Sequence, residues 1–275
     1  MKIRLSWKKI TLWLIGIILV CGLLGGSGVV MLFYWASRDL PDLNRIAEYK
    51  QPQATVILAR DGSMLGTLNH EKRFVIGLKD MSRYLPMAFL AAEDDAFYRH
   101  MGVDPTAILR AAINNFRKGR QGEGGSTITQ QLIKQLLLTS ERSYTRKMKE
   151  AILAYQLEKN FTKDQILAGY LNLVYYGDQA YGVEAASQNY YGIPASDLDL
   201  GQAALLAGIV QQPTKFNPVL NPENAQQRRD LVLTRMEELK VATPEEVAAA
   251  KAVDVKSMLH KKEAKGVCHR SSEPY

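Results

Sequence analysis

The first feature of the hydropathy pattern is a block, with no charged residue between Ile10 and Ser37. Lys2, Arg4, Lys8 and Lys9 precede the block and Arg38 follows it. A run of this length crosses a bilayer as one helix, and the positive charge before it predicts a cytoplasmic N-terminus with everything after Arg38 on the outer face. A cleaved signal peptide is the competing reading. The run is longer than a signal h-region, however, and lacks an A-x-A-type site before charges resume.

The second pattern is short alternation. "ATVILARDGSMLGTLNHE", residues 54–71, reads as two strands around an Asp61-Gly62 turn. A lone hairpin is rarely stable, so a further pairing partner is expected. From Pro86 onward the period becomes helical, with a break at Gly102. Helices are expected over Pro105–Phe116, Thr127–Leu138, Ser143–Phe161, Lys163–Tyr170, Leu200–Val210, Ala225–Leu239 and Thr243–Val253. Thr243-Pro244-Glu245-Glu246 is a helix start with an N-cap, a first-position proline and early acids. The patterning therefore predicts a mainly α protein behind a single N-terminal transmembrane helix, with a short β-hairpin near the membrane.

Charge narrows the partners. A net charge of +7 suits nucleic acid, phospholipid head groups or a phosphorylated substrate, and an anchored outer domain makes nucleic acid the poorest fit. The two cysteines, Cys21 in the apolar run and Cys268 in a polar tail, give no disulfide framework. Cys21 follows a β-branched valine, which makes a poor lipoprotein signal.

Three stretches carry candidate chemistry. In "AAEDDAFYRHMGVD", Glu93, Phe97 and His100 are spaced by four and three and are expected on one helix face. A carboxylate on a packed face can serve as a proton acceptor near neutral pH; a salt-bridged surface acid fits the same spacing. His100 suits a helix end or a packing role. Next, Gly119, Gly122, Gly124 and Gly125 make a loop able to approach a ligand closely, and Ser126 is the expected N-cap of the helix after it. The first-turn amides of that helix form an anion site, with Lys134 about two turns in, beside Gln130 and Gln131. Third, Arg142, Arg146, Lys149 and Glu150 share a face, either a solvated one or a cationic clamp for a pyrophosphate leaving group.

Together these residues carry a resemblance. Glu93-Asp94-x-x-Phe97-x-x-His100-x-Gly102 comes first, then Gly124-x-Ser126-Thr127-Ile128-Thr129-Gln130-Gln131-Leu132-x-Lys134. Arg146-Lys147-x-x-Glu150 and Lys163-x-x-Ile166-Leu167-x-x-Tyr170-Leu171-Asn172 follow. Their order resembles that of peptidoglycan glycosyltransferases, glycosyltransferase family 51. "LLAGIVQQPTKFNP" and "RRDLVLTRM" extend the likeness to nearly everything from Arg38 to Val253, and the later helices look more like class A penicillin-binding proteins than monofunctional transglycosylases. Gln135 stands where the family usually has asparagine, and no K-T-G or S-x-N transpeptidase signature follows Val253. The only S-x-x-K, Ser6 to Lys9, lies in the cytoplasmic tail.

The resemblance implies a lysozyme-like glycosyltransferase domain acting on lipid II. It divides the chain into a cytoplasmic tail (1–9), a transmembrane helix (10–37) and a juxtamembrane segment with a hairpin (38–80). The glycosyltransferase domain (81–253) and the start of a linker toward a transpeptidase domain (254–275) follow. Glu93 is the implied base, and Glu150 orients cations or assists the leaving group. Asp94, Ser126, Thr127, Gln130, Gln131, Lys134, Arg142, Arg146, Lys147 and Lys149 are implied substrate-binding residues; Lys147 also suits a solvent-facing position. Tyr170, Asn172, Tyr181 and Gly182 are expected to be structural. No cofactor is required by the sequence, which has no metal-ligand cluster; a divalent cation such as magnesium or manganese fits the family chemistry. Implied partners are lipid II, the nascent glycan strand, the membrane and cell-wall synthesis or division proteins, with no nucleic acid. The implied location is the bacterial inner membrane, single-pass, with the catalytic domain on the periplasmic face. A lysozyme-like or lytic glycan-cleaving enzyme, and a non-catalytic membrane scaffold, are the alternatives.

Overall fold

The computed structural model describes residues 72–118, 124–137 and 143–260, together with 55–58, 60, 64–68 and scattered positions before 55. Among the described residues no helix is long and apolar enough to cross a membrane. Most of the expected span 10–37 lies outside them, as do the Asp61-Gly62 turn, Cys268 and Arg142. Strand β1 (Thr55–Leu58) pairs antiparallel with β2 (Met64–Leu68), the register shifting between Ile57 and Leu58. A second pair joins β3 (Lys72–Arg73) in parallel to β4 (Ala180–Tyr181).

The rest is helical: α1 (Tyr84–Glu93), α2 (Pro105–Lys118), α3 (Ile128–Leu137), α4 (Tyr144–Asn160), α5 (Lys163–Leu173), α6 (Val183–Tyr190), α7 (Leu200–Ile209), α8 (Pro222–Glu238), α9 (Pro244–Ala252) and α10 (Val255–Met258). Helix α7 is the axis of the core. Every residue from Ala203 to Ile209 is buried, as expected of a helix apolar all round, and α1, α8 and α9 pack on it. Gly208 permits the close approach of α8, since a Cβ there would lie 3.0 Å from Arg228 Cγ. A second layer is formed by α3 against α4 and α5. Capping boxes start α5, α7 and α9, with Thr162 and Gln165, Asp199 and Gln202, and Thr243 and Glu246; α3 has one too. Buried Arg229 donates to the Val253 and Lys251 carbonyls, satisfying the end of α9.

Two local expectations are corrected. Glu93, Phe97 and His100 do not share a helix face, because α1 ends at Glu93. Asp94 leaves the helix (φ −161°) and its carboxylate accepts from the Ile128 backbone N–H at 3.0 Å. Ser126 is not the N-cap of α3. Thr127 is: its hydroxyl accepts from Gln130 N at 3.2 Å, while Gln130 Oε1 accepts from Thr127 N at 3.1 Å. Helices α6 and α10 lie outside the expected set. Buried Val255 and the packed Met258 carry the folded unit past Val253.

Candidate active site

Glu93 ends α1 at a wall shared by two clefts. The first, about 530 Å³, is lined by Asp95, Asp104, Arg110, Arg228 and Arg235 as well as Glu93. The second, about 490 Å³, is lined by Gln131, Lys134, Arg146, Lys147 and Glu150 with Glu93. Gly124, Ser126 and Gln211 border both. Glu93 is the acidic residue that lines both clefts.

That carboxylate is half-buried, and burial pushes it above its ordinary value. The Gln131 amide and the Arg228 guanidinium pull the other way, and Asp94 adds to the rise. Gln131 Nε2 donates to Glu93 Oε2 at 2.8 Å, and Gln131 Oε1 accepts from the Tyr170 hydroxyl at 3.0 Å. A raised carboxyl with one fixed donor suits a proton acceptor working near neutral pH.

The second cleft is floored by Glu150, which is buried. Arg146 Nε lies 3.2 Å from Glu150 Oε1, and Lys147 Nζ lies 2.7 Å from Glu150 Oε2. Lys147 also donates to Ser126 Oγ at 2.7 Å. One buried anion thus fixes two cations, and exposed Lys134 on α3 adds a third across the cleft. Fixed cations in a half-enclosed cleft stabilise a dianionic group without reorganising when it arrives.

Of the residues implied by the sequence, Ser126, Gln131, Lys134, Arg146, Lys147 and Glu150 are brought together around the second cleft. Asp94 and Thr127 reach the first cleft, and Gln130 the second, with their side chains engaged inside the protein. Asp94 holds Ile128 N and lies 3.0 Å from His100 Nε2; Thr127 donates to the Gly102 carbonyl; Gln130 is occupied by the capping box. Lys149, half-buried on α4, is not among the residues bordering either cleft. Gly125 comes close to α2: a Cβ there would stand 2.9 Å from Ile108 Cα.

Sequence reasoning missed the first cleft. Arg228 is on α8 with its Nε buried and without a hydrogen-bond partner, and Arg235 pairs with Asp95, itself 4.0 Å from Arg110. The signal was present as "RRDLVLTRM", but nothing in that helix shows that it packs beside Glu93. Among the described residues no group of three His, Cys, Asp or Glu converges as a metal cage.

Residues 61–237 match the transglycosylase family. Penicillin-binding protein 1A of Aquifex aeolicus is 43% identical over 243 residues, 88% of this chain and 33% of that protein. Penicillin-binding protein 1A/1B of Bacillus subtilis is 38% identical over 249 residues, 90% of this chain and 27% of that protein. The crystal structure of penicillin-binding protein 1A from Haemophilus influenzae aligns with a TM-score of 0.42 at 24% identity, covering 74% of this chain and 21% of that one. The chain spans about a third of the length of the curated relatives it matches.

Proposed function

The chain belongs to the transglycosylase family, and from that premise we propose that it is a peptidoglycan glycosyltransferase polymerising lipid II into β-1,4-linked glycan. One observation carries the reading: a half-buried carboxylate, Glu93, stands in the wall between two clefts, one of them ringed by Lys134, Arg146 and Lys147. Glu93 takes the proton of the acceptor sugar's 4-hydroxyl as that oxygen attacks the donor's anomeric carbon. The C–O bond to the pyrophosphate breaks, and undecaprenyl pyrophosphate leaves with the electron pair. Attack opposite an α-linked leaving group inverts the centre, so no covalent intermediate is needed.

Lys134, Arg146 and Lys147 stabilise the charge that develops on the pyrophosphate. Glu150 holds the last two in place. Ser126 accepts from Lys147, which ties the residue just ahead of α3 to the phosphate site. A magnesium or manganese ion carried on the pyrophosphate would add to that charge stabilisation. Cleaving a glycan strand involves no pyrophosphate, so the cationic cleft favours synthesis over a lytic reaction.

The same reading puts the chain in the inner membrane as a single-pass protein with a cytoplasmic N-terminus. Support comes from the uncharged stretch Ile10–Ser37 and from Trp13, Leu23 and Met31, each more than two-thirds exposed. Helix α2 adds exposed Ile108, Leu109, Ile113 and Phe116, an apolar face suited to dipping into the outer leaflet.

The test is product analysis. The detergent-solubilised chain, given labelled lipid II, is expected to yield a ladder of long glycan and to release undecaprenyl pyrophosphate. Shortening of preformed glycan without polymer from lipid II would replace this reading with the lytic one.

A further inference from the structure

Gln131 sits between two groups that both determine which way its amide points. Its Nε2 donates to Glu93 and its Oε1 accepts from Tyr170. Tyr170 stands on α5, fully buried, its ring edge-on to Phe89 at 6.1 Å. Burial lifts this phenol well above its ordinary range, so it keeps its hydrogen. Turning the amide over would bring its oxygen to Glu93 and its NH2 to the phenol. The phenol oxygen would then accept, and its own buried hydrogen would lose Gln131 Oε1, leaving a donor unsatisfied.

We propose that Tyr170 is a positioning residue for Glu93: through Gln131 it holds an amide N–H against Oε2 and leaves Oε1 to meet the acceptor hydroxyl. The inference rests on the reading of Glu93 as the base. Its logic comes from comparing the two protonation states. Ionised Glu93 accepts from Gln131 Nε2, the orientation that Tyr170 supports. Protonated Glu93 is better served by the reversed amide, whose oxygen would accept the carboxyl proton, and Tyr170 opposes that reversal. The phenol therefore favours the ionised base and offsets part of the desolvation acting on it. Asp94 at the end of α1 and Arg228 from α8 also act on Glu93; both remain when only the Tyr170 hydroxyl is removed.

The test is a carboxyl titration of the full chain in detergent, labelled with 13C at the glutamate carboxyls. The Glu93 resonance is assigned by its loss in Glu93→Gln. In Tyr170→Phe, which keeps the ring and its packing, the Glu93 midpoint is expected to rise by roughly 0.5 to 1 on the pH scale. The acidic limb of lipid II polymerisation should move with it. Gln131→Leu, which removes the amide from the cleft wall, should move the midpoint at least as far, and it carries the test should Tyr170→Phe fail to fold. An unmoved midpoint overturns the proposal, as does a rate loss uniform across pH. The titration needs no substrate. Full polymerisation by Glu93→Gln would sink the reading of Glu93 as base while leaving the midpoint change intact, so the two failures are distinguishable.

Discussion

Lys147 Nζ lies 2.7 Å from Ser126 Oγ and 2.7 Å from Glu150 Oε2. One ammonium therefore joins the residue ahead of α3 to the buried carboxylate beneath the second cleft. Replacing it frees Ser126 and leaves Glu150, among the described residues, with its Arg146 ion pair.

Lys147→Met is accordingly expected to cost about 1 kcal/mol of stability, less than the loss of a fully buried ion-pair partner because Lys147 is partly solvated. Urea unfolding measures this. The rate of lipid II consumption should fall by more than the stability change explains, because the cleft loses a cation as well as a tether. A rate equal to that of the native chain would show that Lys147 only faces solvent.

The pH dependence follows from Glu93. Burial holds its carboxyl above the ordinary glutamate value in the fold, and the base must be ionised, so polymerisation should fall away on the acid side at a pH higher than an ordinary glutamate would give. Stability runs the opposite way. Between the ordinary value and the raised one, the folded chain keeps a proton that the unfolded chain has released, so stability declines as pH rises through that window. Glu93→Gln should remove this decline and unfold at a higher urea concentration than the native chain at pH 7.

Arg228 is the cation whose charge pulls the Glu93 carboxyl down, and the Glu93 charge in turn favours the charged guanidinium. Arg228→Gln should therefore move the acidic limb further upward. A limb displaced by one on the pH scale lowers the rate on its acid side about tenfold. An unmoved limb with a raised KM would instead make Arg228 a contact to the acceptor sugar.

Gly102 is held at φ +82°, where a Cβ would meet the Ala154 carbonyl carbon at 2.6 Å. Gly102→Ala should cost roughly 2 to 4 kcal/mol from backbone strain and overlap with α4. The Gly102 carbonyl also accepts from Thr127, so the variant should lose activity at temperatures where it remains folded. Circular dichroism melts and residual polymerisation check both.

Helix existence was legible in the chain because apolar periodicity is long-range and redundant; α2, α3, α4, α5, α7 and α9 fall within a few residues of expectation. Their ends were less so. Ser126 and Thr127 are both good caps, and only the packing of Thr127 against the Gly102 carbonyl decides between them. Asp94 shows why spacing misled: it reads as the next helical residue, yet it leaves α1 to bind the α3 N-terminus. Arg146 was visible beside Glu150 as a helical spacing, whereas Lys147 came from the resemblance and Lys149, expected on the same face, borders neither cleft. The roles of Arg228 and Tyr170 were not visible, because α8 and α5 bring them toward Glu93 from distant parts of the chain.

The most direct measurement is the initial rate of lipid II polymerisation by Glu93→Gln beside the native chain, at a pH on the native plateau. The account predicts a fall of at least about a hundredfold, the usual contribution of a positioned base, with the variant as well folded as the native chain or better. A variant polymerising at the native rate would contradict it, and the proton acceptor would have to be sought elsewhere around the two clefts.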